Sequence, residues 1–282
     1  MPQSSPDRST HLSPSLSPLG KATPYVSEYD PSQLYPIPRK MARDGVGMPT
    51  PLPFSGVDIW TGYEFSWLNL KGKPEIALAE FYFPCESPNL VESKSLKLYL
   101  NSFNNSRFAS LDAIKDLLER DLSTAALYPV AVRLISSSQF GQQSITQFCG
   151  TCLDALDIET EVYRVEPGFL RAADQAVEET LYSNLLKSNC LVTGQPDWGE
   201  LSVHYVGPQI DHAGLLKYIV SYREHAGFGE QCVERIFLDI LAHCRPQKLT
   251  VYARYTRRGG LDINPFRSNF ESAPLNIRHA RQ

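Results

Sequence analysis

Apolar periodicity along this chain switches between two residues and 3.6 residues in an order that recurs, and that order limits the folds open to it. Residues 63–70 and 75–83 alternate as two strands joined at Lys71-Gly72-Lys73-Pro74, a hairpin signal. Residues 92–101, rich in Lys, Ser and Leu, come next. Leu111, Ile114, Leu117, Leu118 and Leu122 then fall at helical spacing, with Ser110 placed as N-cap. Residues 130–135 and 158–165 read as strands. In the second half, 177–189 reads as a helix and 190–193 and 201–206 as strands. Leu215, Leu216, Ile219 and Val220 put a helix at 212–223, and Val233, Ile236, Phe237, Ile240 and Leu241 another at 230–243. Residues 249–257 alternate as a strand, and Arg258-Gly259-Gly260 turns the chain into a last strand at 261–265. Two strands, two helices and two strands thus recur in both halves, without a residue-level repeat. The fold class is α+β, with largely antiparallel sheets and helices packed on one face.

The 282 residues suit two domains or one large one. Residues 1–55 hold 11 of the 21 prolines, including Ser13-Pro14 and Ser17-Pro18. Such a stretch is expected to run as an extended or partly disordered arm without a packed element, loosest over its first 20 residues. Tyr25, Tyr29 and Tyr35 suggest that its later part lies against a surface. The halves that follow are placed at 56–155 and 156–282. With 42% hydrophobic and 21% charged residues the chain is globular in composition. A net charge of -4 gives no basic excess, so no direct nucleic-acid partner is expected. The longest apolar stretch is about eight residues against the roughly twenty of a membrane span. No charged-then-apolar signal peptide opens the chain, and six cysteines are too sparse for a disulfide scaffold. The expectation is a cytosolic protein with reduced thiols.

Three segments can carry chemistry. Cys190 ends a helical pattern, and Asp197 follows seven residues later, after Gly194-Gln195-Pro196. One reading is a buried structural cysteine and a turn aspartate; the other is a thiol and a carboxyl facing one pocket. The second reading demands help from the surroundings. A free thiol is only about 3% ionised at pH 7, and an ordinary Asp holds its proton about once in a thousand, a deficit of about 4 kcal/mol unless burial raises its pKa. Glu92-Ser93-Lys94-Ser95-Leu96-Lys97-Leu98-Tyr99 is either a solvated lysine face or a site where Ser93 and Lys94 grip a phosphate and Glu92 grips a ligand's donors. Arg254-Tyr255-Thr256-Arg257-Arg258-Gly259-Gly260 is either a charged turn or a phosphate-binding hairpin tip. Cys149-Gly-Thr-Cys152 has redox spacing but no companion pair or histidine, and reads as structural. Gly227-Phe228-Gly229 lacks the third glycine and the preceding strand of a dinucleotide fingerprint. The six histidines form no ligand pair, and no catalytic metal is expected.

Taken together, Glu92 to Tyr99, Leu186-Lys-Ser-Asn-Cys190 with Gln195-Pro-Asp197-Trp-Gly199, Cys232-Val-Glu-Arg-Ile236, and Val251 to Pro265 resemble the NADPH-dependent 7-cyano-7-deazaguanine reductases (QueF), in their long two-module form. The resemblance runs from about residue 20 to the end. It implies two tandem tunnelling-fold (T-fold) modules, the first carrying the Glu-Ser-Lys-Ser motif and the second the Cys/Asp pair, and a homodimer. The implied reaction is the four-electron reduction of a nitrile to a primary amine with two NADPH, on the path to queuosine in tRNA. Cys190 would form a covalent thioimide and Asp197 would act as general acid. Val91, Glu92, Ser93, Gly229 and Glu230 match substrate-binding positions, Glu230 accepting from the ring's N–H groups. Ser93, Lys94, Arg258 and Gly259 match NADPH-binding positions.

One position departs from the family. Its usual Phe-His-Glu reads Phe228-Gly229-Glu230 here, and Gly229 can neither hydrogen-bond through a side chain nor move a proton. His225, four residues earlier, would substitute only if that segment were helical. Two competing readings follow: a T-fold binding protein with impaired catalysis, and a nitrilase-like thiol hydrolase, for which no Glu/Lys/Cys arrangement is present.

Overall fold

The structure is a computed structural model that describes residues 17–18 and 24–282. The expectation of a loose first 20 residues falls, apart from Ser17 and Pro18, outside the described residues. In chain order the first half contains β1 (Pro36–Pro38), α1 (Arg39–Gly45), β2 (Ser55–Leu68), β3 (Pro74–Pro84), β4 (Asn89–Val91), α2 (Ser93–Asn101), α3 (Leu111–Ala126) and β5 (Ala131–Ser136). Two short strands follow, β6 (Ile145–Thr146) and β7 (Thr151–Cys152). The second half contains β8 (Ala172–Asn189), β9 (Pro196–Ile210), α4 (His212–Ser221), α5 (Gly229–Cys244), β10 (Lys248–Tyr255), β11 (Leu261–Ser268) and β12 (Arg278–His279). No described helix is long and apolar enough to cross a membrane.

One eight-stranded sheet runs through both halves in the order β5-β3-β2-β11-β10-β9-β8-β7, antiparallel except at β7–β8. The halves join where β2 pairs β11 along its length, Ile263 opposite Trp60 and Pro265 opposite Asp58. Alternation along each strand sends one set of side chains towards the helices. Trp60, Phe81 and Phe83 pack with Leu96, Tyr99, Ile114, Leu118 and Leu122 of α2 and α3. Leu201, Val203, Leu249 and Val251 pack with Leu215, Ile219, Val233, Ile236 and Phe237 of α4 and α5. Helix α3 starts where expected, Ser110 accepting from the Ala113 N–H.

Four expectations are corrected. Residues 177–189 are strand β8, not helix: the buried positions are Leu181 and Ser183, then Leu186 and Ser188, and a bulge between Ser183 and Leu186 resets the alternation. Two of those four are serines, so the period of two was hidden. Residues 190–193 form a turn, closed by Gly194 N–H to Cys190 O and Cys190 N–H to Gln195 O, with Gly194 at φ +67°. Residues 158–165 join no sheet; the free edge of β8 is taken by β7. The first half therefore lacks its last strand, while β8-β9-α4-α5-β10-β11 keeps the full order. Lastly, the proline-rich arm does build packed elements. β1 pairs antiparallel with β4, where a ladder bounded by edges tolerates proline, and Arg39 of α1 is buried.

Candidate active site

The arm, the first half and the second half converge on one cavity of about 720 Å³, its open mouth included. Val91, Glu92, Ser93, Cys190, Asp197, Gly229, Glu230 and Arg258 line it. Lys94 and Gly259 are not among its lining residues. Ile37 of β1, Trp60 of β2, Lys97 of α2 and Tyr255 of β10 are, and none of these four was singled out from the sequence. His225 lies off the cavity: the chain leaves a short 3-10 turn there and takes extended backbone, so it shares no helix with residue 229.

Each side chain is held by a local reason. Glu92 is the N-cap of α2, its carboxylate accepting from the Lys94 N–H at 2.6 Å and the Ser95 N–H at 2.9 Å. Its main-chain N–H donates to Tyr35 O, and the Tyr35 N–H donates to Ser95 Oγ, so the arm fixes the helix start. Each Glu92 oxygen accepts one capping N–H and keeps further lone-pair capacity, and the residue lines the cavity. Ser93 and Lys97 stand four residues apart on one helix face and reach the cavity; Lys94 falls off that face.

Cys190 sits at the end of β8, almost wholly buried. Burial pushes its thiol up, but hydrogen bonds from the Thr193 side chain and N–H, from the Val192 N–H and from Arg258 outweigh that, and the thiol lies below its ordinary value. Asp197 begins β9 across the turn, in register with Ser188. Burial raises its pKa, and Arg258, Lys97 and Lys187 only partly hold it back. Arg258 spends its guanidinium locally, with Nε 2.9 Å from Asp197 Oδ1 and Nη1 donating to Gln195 Oε1 at 2.7 Å. A thiol shifted down beside a carboxyl shifted up are the two departures from ordinary behaviour that the sequence argument demanded.

Glu230 lies in the first turn of α5 and is buried. Burial first, then the neighbouring Asp58 carboxylate, push its pKa up to about 7. The Trp60 Nε1 is buried and has no hydrogen-bond partner among the described residues. An orphaned donor in the wall of a cavity favours a ligand that brings an acceptor. Gly259 and Gly260, at φ +55° and +72°, make the left-handed turn that carries Arg258, and the Lys97 side chain packs over Gly259.

Comparisons with known proteins bear on the family of the chain. A family model described as nitrile reductase, 7-cyano-7-deazaguanine-reductase N-term, matches residues 25–134, and one described as QueF-like protein matches residues 196–274. Proteins of Burkholderia multivorans and Burkholderia vietnamiensis named NADPH-dependent 7-cyano-7-deazaguanine reductase are each 61% identical over 274 residues, covering 96% of this chain and 100% of theirs. This chain belongs to the 7-cyano-7-deazaguanine reductase family. Among solved structures, the apo form of the archaeosine synthase QueF-Like is 19% identical and covers 35% of this chain and 96% of its own, with a TM-score of 0.30. The relatives span both halves, the turn with Cys190 and the cavity-lining segments of α2 and α5.

Proposed function

We propose that this protein reduces the nitrile of 7-cyano-7-deazaguanine to the primary amine with two NADPH, supplying a free base for queuosine in tRNA. The observation that carries the reading is the joint presence, in one cavity, of a thiol lowered and a carboxyl raised, Cys190 and Asp197. A nitrile carbon accepts hydride poorly. Cys190 Sγ attacks it, the π pair moves to nitrogen, and Asp197 delivers a proton there, leaving a thioimide whose carbon is a better acceptor. The Glu230 carboxylate takes the N–H donors of the deazaguanine ring, and the Trp60 N–H stands ready for a ring acceptor. Val91 and Ser93 add to the same wall.

NADPH, when bound, supplies the two hydrides. The residues that line the cavity suit it: Ser93 offers a hydroxyl and Lys97 and Arg258 positive charge, while Lys94 and Gly259, the other positions that match the family's, lie next to them outside the lining. We further propose that the halves 56–155 and 156–282 are tandem T-fold modules behind the arm 1–55, that the chain works as a homodimer in the cytoplasm, and that it needs no direct nucleic-acid contact. The element order β8-β9-α4-α5-β10-β11, partly repeated as β2-β3-α2-α3-β5, supports the two-module reading.

The test is NADPH consumption with and without 7-cyano-7-deazaguanine, with the product mass determined. Two NADPH per substrate and an amine are expected, and Cys190→Ala should lose both turnover and adduct, by roughly a million-fold in rate for a covalent nucleophile. Substrate binding without adduct or turnover in the wild type would leave a binding protein instead, and full activity in Cys190→Ala would sink the covalent route.

A further inference from the structure

Reducing a nitrile to a neutral amine takes two hydrides and two protons, and the reading above accounts for one proton. Asp197 gives it as the thioimide forms. When the first hydride then adds to the thioimide carbon, the C=N π pair moves onto nitrogen, which needs a second proton at that moment. Asp197, 2.9 Å from Arg258, has by then given its one proton to the same nitrogen, and it must be recharged from solvent before it can give another. Arg258 itself does not give up a proton. Cys190 is bonded to carbon, Glu230 faces the ring, and Gly229 has no side chain.

Lys97 remains. Its side chain lines the cavity with Cys190 and Asp197 and packs along the Gly259 turn. Among the described residues its ammonium makes no hydrogen bond and no ion pair within 4 Å. The charges that act on it are Arg258, Glu92, Asp197 and Cys190, all groups of this cavity. A largely buried lysine without a partner is expensive to keep unless something uses it.

We propose, resting on the nitrile-reductase reading, that Lys97 is the second proton donor, protonating the substrate nitrogen as the first hydride arrives. The balance closes. Hydride and the Lys97 proton turn the thioimide into an aminothioether on Cys190. The nitrogen lone pair then expels the Cys190 thiolate, breaking the C–S bond and leaving an iminium. The second hydride adds to that carbon and gives the amine. Asp197 and Lys97 each regain a proton from water. Burial, and then the nearby Arg258, hold the Lys97 ammonium below the ordinary lysine pKa, which makes it a readier acid at neutral pH.

The experiment compares wild type, Lys97→Met and Lys97→Arg in three readouts. These are the adduct on Cys190 by intact mass with the nitrile alone, NADPH affinity without the nitrile, and single-turnover loss of preformed adduct on adding NADPH. Both variants should form the adduct and Lys97→Arg should keep NADPH affinity within about threefold, while adduct loss slows about 100- to 10,000-fold in both. Rapid adduct loss in Lys97→Arg would overturn the proposal, because charge alone would suffice. So would a loss of NADPH affinity large enough to explain the slow step, or failure of adduct formation in both variants. The wild type tests it without any substitution. Its adduct loss should fall about tenfold per pH unit above a midpoint lower than that of free lysine, and a flat alkaline limb would overturn the idea. Absence of any adduct in wild type would instead defeat the nitrile-reductase reading itself.

Discussion

Two groups of buried charges lie side by side on the helix face of the sheet, and they are built on opposite principles. In the first, every charge is matched. Asp58 of β2 meets Arg39 at 2.6 Å and Arg267 of β11 at 2.8 Å, and Glu234 of α5 meets Arg267 at 2.9 Å and Arg43 at 2.6 Å. This group ties the arm to both halves of the chain. In the second, the cavity, Asp197 and Arg258 form an ion pair; among the described residues Lys97 has no partner, and Glu230 feels its neighbour Asp58 of like charge. Burying a charge is unfavourable in both places. The first group offsets that with partners, whereas the second leaves groups whose protons can move. Structure and chemistry are thus separated by whether a buried charge is matched, not by whether it is buried.

The largest expected effect breaks the matched group. Asp58→Ala leaves Arg267 with Glu234 and the Phe266 carbonyl, and Arg39 with Ser87, the Pro84 carbonyl at 3.5 Å and a distant Glu234, and should cost about 3–5 kcal/mol of stability. Chemical denaturation measures it. Lys97→Met, which removes an unmatched charge, should be neutral or stabilising. Comparable losses in both variants would erase the contrast. Acid gives a second view. Burial pushes Asp58 and Glu234 up, but their arginine neighbours outweigh it, and both lie below the ordinary carboxylate range. Their contribution is therefore complete above the unfolded carboxylate pKa and is lost as pH falls through the lower folded values.

A smaller effect is expected where the cavity wall is tightest. A Cβ at Gly229 would stand 2.7 Å from Tyr255 Cε2, and one at Gly199 3.1 Å from Cδ1 of the same ring. The Tyr255 ring is wedged between two glycines. Gly229→Ala should destabilise by about 1–3 kcal/mol through overpacking and weaken substrate binding. Restoring the family's histidine by Gly229→His requires the same ring to shift. An alanine variant with unchanged melting and affinity would show that the ring yields freely.

Much of this was legible in the sequence, and the omissions have physical causes. The chemistry of Cys190, Asp197 and Glu230 is carried by residue type within short segments. Lys97 belongs to the motif, but a run of lysines and serines does not by its composition say which lysine faces a ligand. Reading Glu92 as the N-cap of α2 would have placed Ser93 and Lys97 on one face and found it. Trp60 gave no such signal, because an indole without a partner is visible only once β2 is paired with β11. The packing of the arm is hidden by its prolines, which break helices and central strands but are accepted in a two-strand edge ladder. Strand β8 was misread because its bulge and two buried serines imitate a helical period.

The smallest expected effect joins the two groups, since Glu230 belongs to the cavity but feels the matched cluster. Burial and Asp58 raise its pKa to about 7, while Arg39 and Arg267 pull it down. If Glu230 binds the ring's N–H donors as a carboxylate, affinity for 7-cyano-7-deazaguanine should weaken about tenfold per pH unit below that midpoint and level off above it. Glu230→Gln should flatten the profile. Stability should run the opposite way. A folded-state pKa above the unfolded one means that the folded chain holds the proton more tightly, so this group's contribution is present at low pH and is lost as pH rises through about 7. Glu230→Gln should therefore melt higher than wild type at pH 8 and no differently at pH 4, gaining stability as it loses affinity. Asp58→Asn sharpens the comparison. It removes the neighbouring negative charge and leaves Arg39 and Arg267 free to act on Glu230, so the binding midpoint should move down. A midpoint that stays near 7 in that variant would mean that burial alone sets the proton affinity of Glu230, and that the matched and unmatched charges do not communicate.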